Sequence, residues 1–204
     1  MKIETTAKYL LSLALIFCLN SAWAHSFNIL YIAPFSDPAG QSALRGFLLA
    51  TREEDAHEAE ESDGHLGGLD SYIFKLDHMA GEAPGPEQLA AIVQESEILF
   101  VTGVMSDATK NMFEDNGIVV VDPVSSKFWT ASIAQPDQIK LMDGDGFSNA
   151  FEAVSGYPPD LQAIHGYLTA RIIAAVVRNA DQQTLSSPRE LTKAVELVLQ
   201  KTAL

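Results

Sequence analysis

The stretch GYPPDLQAIHGYLTARIIAAVVRN, residues 156–179, predicts a long helix that begins after two prolines and Asp160. Apolar residues between positions 164 and 177 surround most of its circumference, which is the pattern of a helix packed on several sides. Gly156 ends the helix that precedes it. A helix of this kind needs a sheet to cover, and we expect the preceding residues to build that sheet.

The segments before this helix alternate between strand and helix patterns. Short apolar runs predict four strands, namely FNILYIA (27–33), SYIFKLD (71–77), EILFVTG (97–103) and IVVVDP (118–123). Amphipathic helices are predicted from Gly40, from near Pro86 and after Ser106, which can cap its helix. Strands that alternate with helices over short loops form right-handed β-α-β units, so we expect an α/β fold with a mostly parallel sheet.

Apolar periodicity also predicts which faces are buried. The second strand alternates Tyr72, Phe74 and Leu76, and the helix after Ser106 has Ala108 and Met112 on its inner face. Two helical faces in the last third contain Phe147, Ala150, Phe151 and Val154, and then, after a capping box at 187–190, Leu191, Ala194, Val195, Val198 and Leu199. We expect these C-terminal helices to pack on the sheet.

The first 24 residues have the pattern of a secretory signal peptide. Lys2 and Lys8 precede an apolar run at 9–19 that is too short to span a bilayer, and Ser-Ala-Trp-Ala at 21–24 supplies the small residues of a cleavage site. We expect cleavage after Ala24, a mature domain of residues 25–204, and a periplasmic location. Cys18 leaves with the signal, so the mature domain has no disulfide.

Charge and motif content exclude several functions. The formal net charge of the chain is −14, which disfavours nucleic acid and anionic lipid as partners. The sequence contains no G-x-S-x-G elbow, no Walker loop and no H-E-x-x-H motif, and Gly144-Asp145-Gly146 does not form a dinucleotide-binding loop. We therefore expect a protein that is not an enzyme and that uses no cofactor.

The order of the motifs resembles that of a known family. The segments that carry the resemblance are FNILYIAPFSDPAGQSALRGFLLA (27–50), HLGGLDSYIFKLD (65–77), LFVTGVMSDATKNM (99–112), IVVVDPVSSKFWTASIAQPDQIKLM (118–142) and FSNAFEAVSGYPPDLQAIHGYLTARIIAAVV (147–177). Together they resemble the type I periplasmic binding proteins, which are the branched-chain amino acid and amide receptors of ABC importers. The resemblance implies a Rossmann- or flavodoxin-like lobe.

Members of that family have two α/β lobes that enclose a ligand. Compared with that family, this chain is expected to lack the second lobe between about residues 142 and 146, where a short glycine-rich turn leads directly into the terminal helices. The resemblance therefore implies a single lobe. Because one lobe forms only part of a pocket wall, we expect weak binding, or a pocket completed by a second copy or another protein.

Ligands of open parallel sheets bind at the carboxyl ends of the strands, which points to the loops at 36–41 and 102–109. The predicted ligand-binding residues are Ser36, Gln41, Thr102, Gly103, Ser106 and Thr109. The resemblance implies that Ser106 and Thr109, and with them Ser36, hold the carboxylate of a ligand. The carboxylate of Asp107 opposes an anionic ligand there, and Ser106 can equally be only a helix cap.

The predicted function is recognition of a small polar molecule, such as an amino acid or amide, by an accessory component of an ABC-type transport or sensing system. The expected partner proteins are a second copy or a periplasmic or membrane protein. One alternative is a protein-interaction scaffold that binds no ligand. Another is copper binding through His25 with His57 or His65, although no fixed metal spacing is present. His165 is predicted to be a hydrogen-bonded core residue.

Overall fold

The computed structural model describes residues 26–53, 62–77, 85–122 and 146–202. The strands are β1 (Ser26–Ala33), β2 (His65–Leu66), β3 (Leu69–Asp77), β4 (Ile98–Gly103) and β5 (Val119–Val120). The helices are α1 (Pro38–Glu53), α2 (Pro86–Glu95), α3 (Asp107–Asp115), α4 (Gly146–Ser155), α5 (Leu161–Asn179), α6 (Gln182–Leu185) and α7 (Pro188–Thr202). The predicted signal peptide, His25, His57 and most of the 142–146 junction lie outside the described residues.

The five strands form one sheet in the order β2-β3-β1-β4-β5. β1 is parallel to both of its neighbours and β4 is parallel to β5, whereas β2 is antiparallel to β3. The turn between β2 and β3 consists of Gly67 and Gly68, both with positive φ, which glycine adopts without strain. The prediction of a mixed α/β fold with a mostly parallel sheet is confirmed.

Strand β1 is the centre of the fold, and residues 29–33 are buried on both sides of the sheet. Because side chains alternate along a strand, Ile29 and Tyr31 face the core formed by α1, α4, α5 and α7. Leu30 and Ile32 face the opposite core, to which α2 and α3 contribute. The sheet therefore has helices on both faces. The helix that follows β1 lies on one face, and those that follow β3 and β4 lie on the other.

The long helix predicted by residues 156–179 is α5, and 12 of its 19 residues are buried. Asp160 is its N-cap, because the Asp160 carboxylate accepts from the N–H of Ala163 at 2.8 Å. The same carboxylate accepts from the Ser42 hydroxyl at 2.6 Å, which joins the start of α5 to α1. The prediction that this helix covers the sheet is confirmed by its place in the core against β1.

Helices α1 and α5 touch through their backbones at two glycines. A Cβ atom on Gly46 would overlap the carbonyl oxygen of Ala163, and a Cβ on Gly166 would overlap that of Ala43. Small residues at such a contact allow the two helix axes to approach closely. The pair therefore depends on hydrogen rather than a methyl group at both positions.

Three predicted faces are wrong in detail. Phe74 is 40% exposed while Ser71 and Ile73 are buried, because the main core covers the other face of β3. Val154 is 63% exposed, since α4 turns only Phe147 and Phe151 fully into the core. The inner face of α3 contains Thr109 and Phe113 rather than Ala108, with Met112 partly buried beside them.

We predict that Gly166→Ala lowers the free energy of unfolding by about 1 to 3 kcal/mol, because the new methyl group overlaps the backbone of α1. In a helix without this close contact, glycine to alanine would raise the free energy of unfolding by about 1 kcal/mol. A decrease therefore indicates the contact with α1. Urea unfolding measures it.

Gly85→Ala is the control, because Gly85 has φ −67° and no atom within 4 Å of an added Cβ. Because Gly85 is the N-cap of α2, where alanine is a poorer cap than glycine, the substitution should lower stability by less than about 1 kcal/mol. A Gly166→Ala variant as stable as the parent would show that the two helices do not meet at this point.

Candidate functional site

The chain changes direction between β1 and β4, which are neighbours in the sheet. After β1 it passes over one face to β3, and after β3 it returns over the other face to β4. At such a point the two following loops separate and leave a crevice at the carboxyl ends of the strands, where ligands of open α/β sheets bind. The loops here are residues 34–37 and 104–106.

A cavity of about 80 Å³ lies at this point, and we refer to it as the edge cavity. Its walls come from the ends of β1 and β4, from the residues after β5, and from α1 and α5. The side chains with polar groups in its lining are Tyr31, Thr102, Asp122, Gln162, His165 and Thr169. Elements from both ends of the sequence are therefore needed to form it.

Tyr31 and Thr102 are register partners on adjacent parallel strands, so their side chains project from the same face. Each residue is 3% exposed. The Tyr31 ring packs edge-on against Phe47 with 5.1 Å between ring centroids. Burial raises the pKa of Tyr31 above its ordinary value, so the phenol stays neutral. Within the described part of the chain, no residue hydrogen-bonds to either hydroxyl, and neither oxygen is among the buried atoms without a partner, so both are open to the cavity.

Asp122 brings a carboxylate to the edge cavity and is held by Lys110 of α3. The Lys110 Nζ and Asp122 Oδ2 atoms are 2.6 Å apart, and the two side chains are 16% and 15% exposed. Burial opposes the charge on Lys110, but the hydrogen bond and the attraction of Asp122 outweigh it and raise the lysine pKa. The pair ties the start of α3 to the chain after β5.

His165 lies on α5 at the wall of the edge cavity and is only half-buried. This corrects the prediction that it is a core residue. Partial burial lowers its pKa below the ordinary value of 6.5, and the attraction of Asp122 and Asp160 offsets part of that effect. The imidazole is therefore neutral at pH 7. The Thr169 hydroxyl donates to the His165 carbonyl at 2.8 Å.

Of the predicted ligand-binding residues, Thr102 and Gly103 line the edge cavity. Gly103 has φ +110°, and a Cβ there would overlap the backbone of Ile32, so only glycine fits. The next residue, Val104, donates its N–H to the Ile32 carbonyl at 2.7 Å. This tight turn holds the end of β4 against β1 and so fixes the position of Thr102.

The other four predicted residues are not part of the cavity lining. The Ser106 hydroxyl accepts from the N–H of Thr109 at 3.2 Å and lies 2.8 Å from the Thr109 hydroxyl, so the two residues form the cap of α3. The Gln41 amide donates to the Phe35 carbonyl at 2.9 Å, and Ser36 is exposed. All four lie at the carboxyl edge of the sheet, but the structure does not bring them together with Thr102.

Sequence reasoning missed Tyr31, Asp122, Lys110 and His165 as members of the site. Two signals were present. Tyr31 is an aromatic residue with a polar atom inside the apolar run at 29–33, and Asp122 comes directly after the apolar run of the fourth strand. Lys110 has no such signal, because its partner lies twelve residues further along the chain.

The metal alternative gains no support from the described residues. His65 Nε2 lies 2.8 Å from Asp70 Oδ1, and the two residues are register partners in the β2–β3 hairpin. No group of three or more His, Cys, Asp or Glu side chains is close enough for a metal ion among residues 26–53, 62–77, 85–122 and 146–202. His65 therefore contributes to the hairpin.

Larger depressions occur elsewhere on the molecule. One of about 300 Å³ lies at the amino ends of β1 and β4, and one of about 580 Å³ lies between α5 and α7. Neither lies at the carboxyl ends of the strands, where the direction of the chain changes. The edge cavity is smaller, but it combines that position with the hydroxyl groups of two nearly buried residues, and we take it as the candidate site.

Comparison with protein-family models, with curated proteins and with solved structures found no match. None of the helices that the structure describes is long and apolar enough to cross a membrane.

We predict that Lys110→Met lowers the free energy of unfolding by about 3 kcal/mol, because it removes the ammonium that contacts the largely buried carboxylate of Asp122. Lys193→Met is the matched control. Lys193 also pairs with a carboxylate, that of Glu190 at 2.7 Å, but both side chains are about half exposed. Its loss should cost less than about 1 kcal/mol. Equal effects in urea unfolding would contradict the buried-pair assignment.

We predict that His165 makes the protein less stable in mild acid. Its folded-state pKa lies below its unfolded value, so the unfolded chain binds more protons as pH falls below about 6.5. The free energy of unfolding therefore falls between pH 7.5 and 5, and His165→Gln should lose part of that slope. Urea titrations of both proteins across this range measure the difference. If the free energy of unfolding depends on pH equally in both proteins, the folded state accommodates the protonated imidazole without cost.

Proposed function

We propose that this protein is an exported, non-enzymatic binding protein for small polar solutes, built as a single Rossmann-like lobe of the type I periplasmic binding protein kind. The strand order supports this, because the parallel strands β3-β1-β4-β5 have the chain order 2-1-3-4 of one doubly wound class. The final helices complete one face of that sheet, as the resemblance implies.

The observation that carries the proposal is the position of the edge cavity. Doubly wound sheets bind ligands where the strand order reverses, outside the carboxyl ends of the strands. The cavity lies at that reversal and contains hydroxyl, carboxylate, amide and imidazole groups. This combination of polar groups in a small concave site is typical of the part of a binding pocket that orients a ligand.

The size of the cavity limits the kind of binding that we propose. Pockets that enclose a drug-sized ligand have volumes of about 300 to 1,000 Å³. A cavity of about 80 Å³ encloses one end group of a solute and leaves the rest exposed. We therefore propose that binding is weak in the isolated chain and is completed by a second copy, or by a periplasmic or membrane component of a transport or sensing system.

The second candidate is an interaction scaffold without a ligand, and an exposed apolar surface favours it. Val154 and Leu161 are 63% and 46% exposed, and Tyr157 lies between them in sequence. The Arg45 guanidinium lies over the Tyr157 ring and donates to its hydroxyl at 3.2 Å. Exposed apolar residues beside an arginine are typical of protein-binding surfaces.

A thermal-shift screen with amino acids, amides and short carboxylates tests the proposal. We expect one class to raise the melting temperature with a saturable concentration dependence, because a ligand of the native state adds RT ln(1 + [L]/Kd) to stability. Thr102→Val should reduce that increment. Ser106→Ala with Thr109→Ala lowers the starting melting temperature by removing a cap, so the increment is the quantity to compare.

The outcome also separates the two candidates. If no solute class gives a saturable increment, solute binding by the isolated chain is wrong. If, in addition, a periplasmic protein binds the chain and Val154→Ser with Leu161→Ser abolishes that binding, the scaffold is supported.

A further inference from the structure

The edge cavity exposes two hydroxyl groups of otherwise buried residues, and no other described residue hydrogen-bonds to them. Tyr31 and Thr102 are each 3% exposed, and both line the cavity as partners on adjacent strands. Buried polar groups in folded proteins are almost always paired with protein or with water. Because these two hydroxyls open into one cavity and have no partner in the described chain, they are available to a guest that both donates and accepts hydrogen bonds and that displaces water there.

The charges around the cavity restrict that guest further. An anionic group would meet the carboxylate of Asp122, which is already in contact with the Lys110 ammonium at 2.6 Å. Lys110 also lies 3.6 Å from Asp107, so its charge is shared between two carboxylates. A cationic group would have to compete with Lys110 for Asp122. Charged guests of either sign are therefore penalised.

The remaining polar groups of the lining are uncharged. The amide of Gln162 and the hydroxyl of Thr169 carry no charge, and the imidazole of His165 is neutral at pH 7. The Thr169 hydroxyl is occupied by the His165 carbonyl, which leaves Tyr31 and Thr102 as the hydroxyls available to a guest. Each can donate one hydrogen bond and accept others.

We infer that the edge cavity binds an uncharged polar group, a hydroxyl or a carboxamide, through the Tyr31 and Thr102 hydroxyls, and that it excludes carboxylate and ammonium groups. This inference rests on the proposed function and defines the solute class for it. It also places any ligand carboxylate outside the cavity, on the side of the exposed Ser106.

Four small probes of similar size test the inference, namely ethylene glycol, acetamide, acetate and ethylammonium. Each is titrated at pH 7.5 into the ¹⁵N-labelled protein, and the backbone amide signals of residues 31–32, 102–104 and 165–166 are followed by NMR. We expect saturable shifts with an uncharged probe, with a Kd at least tenfold lower than for either charged probe.

Tyr31→Phe with Thr102→Val removes both hydroxyls and keeps the shape of the cavity. We expect it to weaken binding of the uncharged probe at least tenfold. The variant should also be no less stable than the parent, because neither hydroxyl has an internal partner to lose. Tyr157→Phe with Thr192→Val is the matched control, since it makes the same chemical changes outside the cavity and should leave the Kd within twofold.

Three results would overturn the inference. The first is tighter binding of acetate or ethylammonium than of both uncharged probes. That result would contradict the inference about charge but would still support solute binding. The second is unchanged binding in the double variant. The third is the absence of saturable shifts for all four probes. If the thermal-shift screen nevertheless finds a ligand in that third case, only the inference fails; if it finds none, the proposed function fails with it.

Discussion

The close contact between α1 and α5 is the constraint on which the rest of the molecule depends. Gly46 and Gly166 let the two helix backbones touch, and the Asp160 carboxylate joins the start of α5 to Ser42 of α1. This contact sets the position of the first turns of α5 beside the carboxyl ends of β1 and β4. His165 precedes one of the contact glycines, so the wall of the edge cavity is positioned by the same packing that closes the core.

The sheet and its helices could be predicted because each element has a local signal. The continuous apolar run of β1 and the cap at Asp160 depend on residues that are neighbours in sequence. The faces of β3, α3 and α4 could not be predicted fully, since apolar periodicity gives the residues of a stripe but not how far a neighbour covers it. Val154 is on the expected stripe and still faces solvent.

The sequence predicted that the site lies at the carboxyl ends of the strands, but it did not predict most of the residues that line it. A parallel sheet places its binding loops at the carboxyl ends of the strands, and Thr102 and Gly103 follow from that rule. The rule does not say which side chains meet across the crevice. The pairing of Lys110 with Asp122, and the position of His165 opposite β1, depend on tertiary packing that no single segment encodes.

The central place of β1 has a consequence for how the protein folds. This strand is made early in the chain, but the helix that covers one of its faces is α5, more than a hundred residues later. Contacts between such distant residues give a high contact order and slow folding, because a long loop must close before the contact is gained. Until residues 161–179 emerge, the chain has no means of completing its native core. A chain whose core forms late stays unfolded for longer. The proposed export requires this, because the chain crosses the membrane in an extended state.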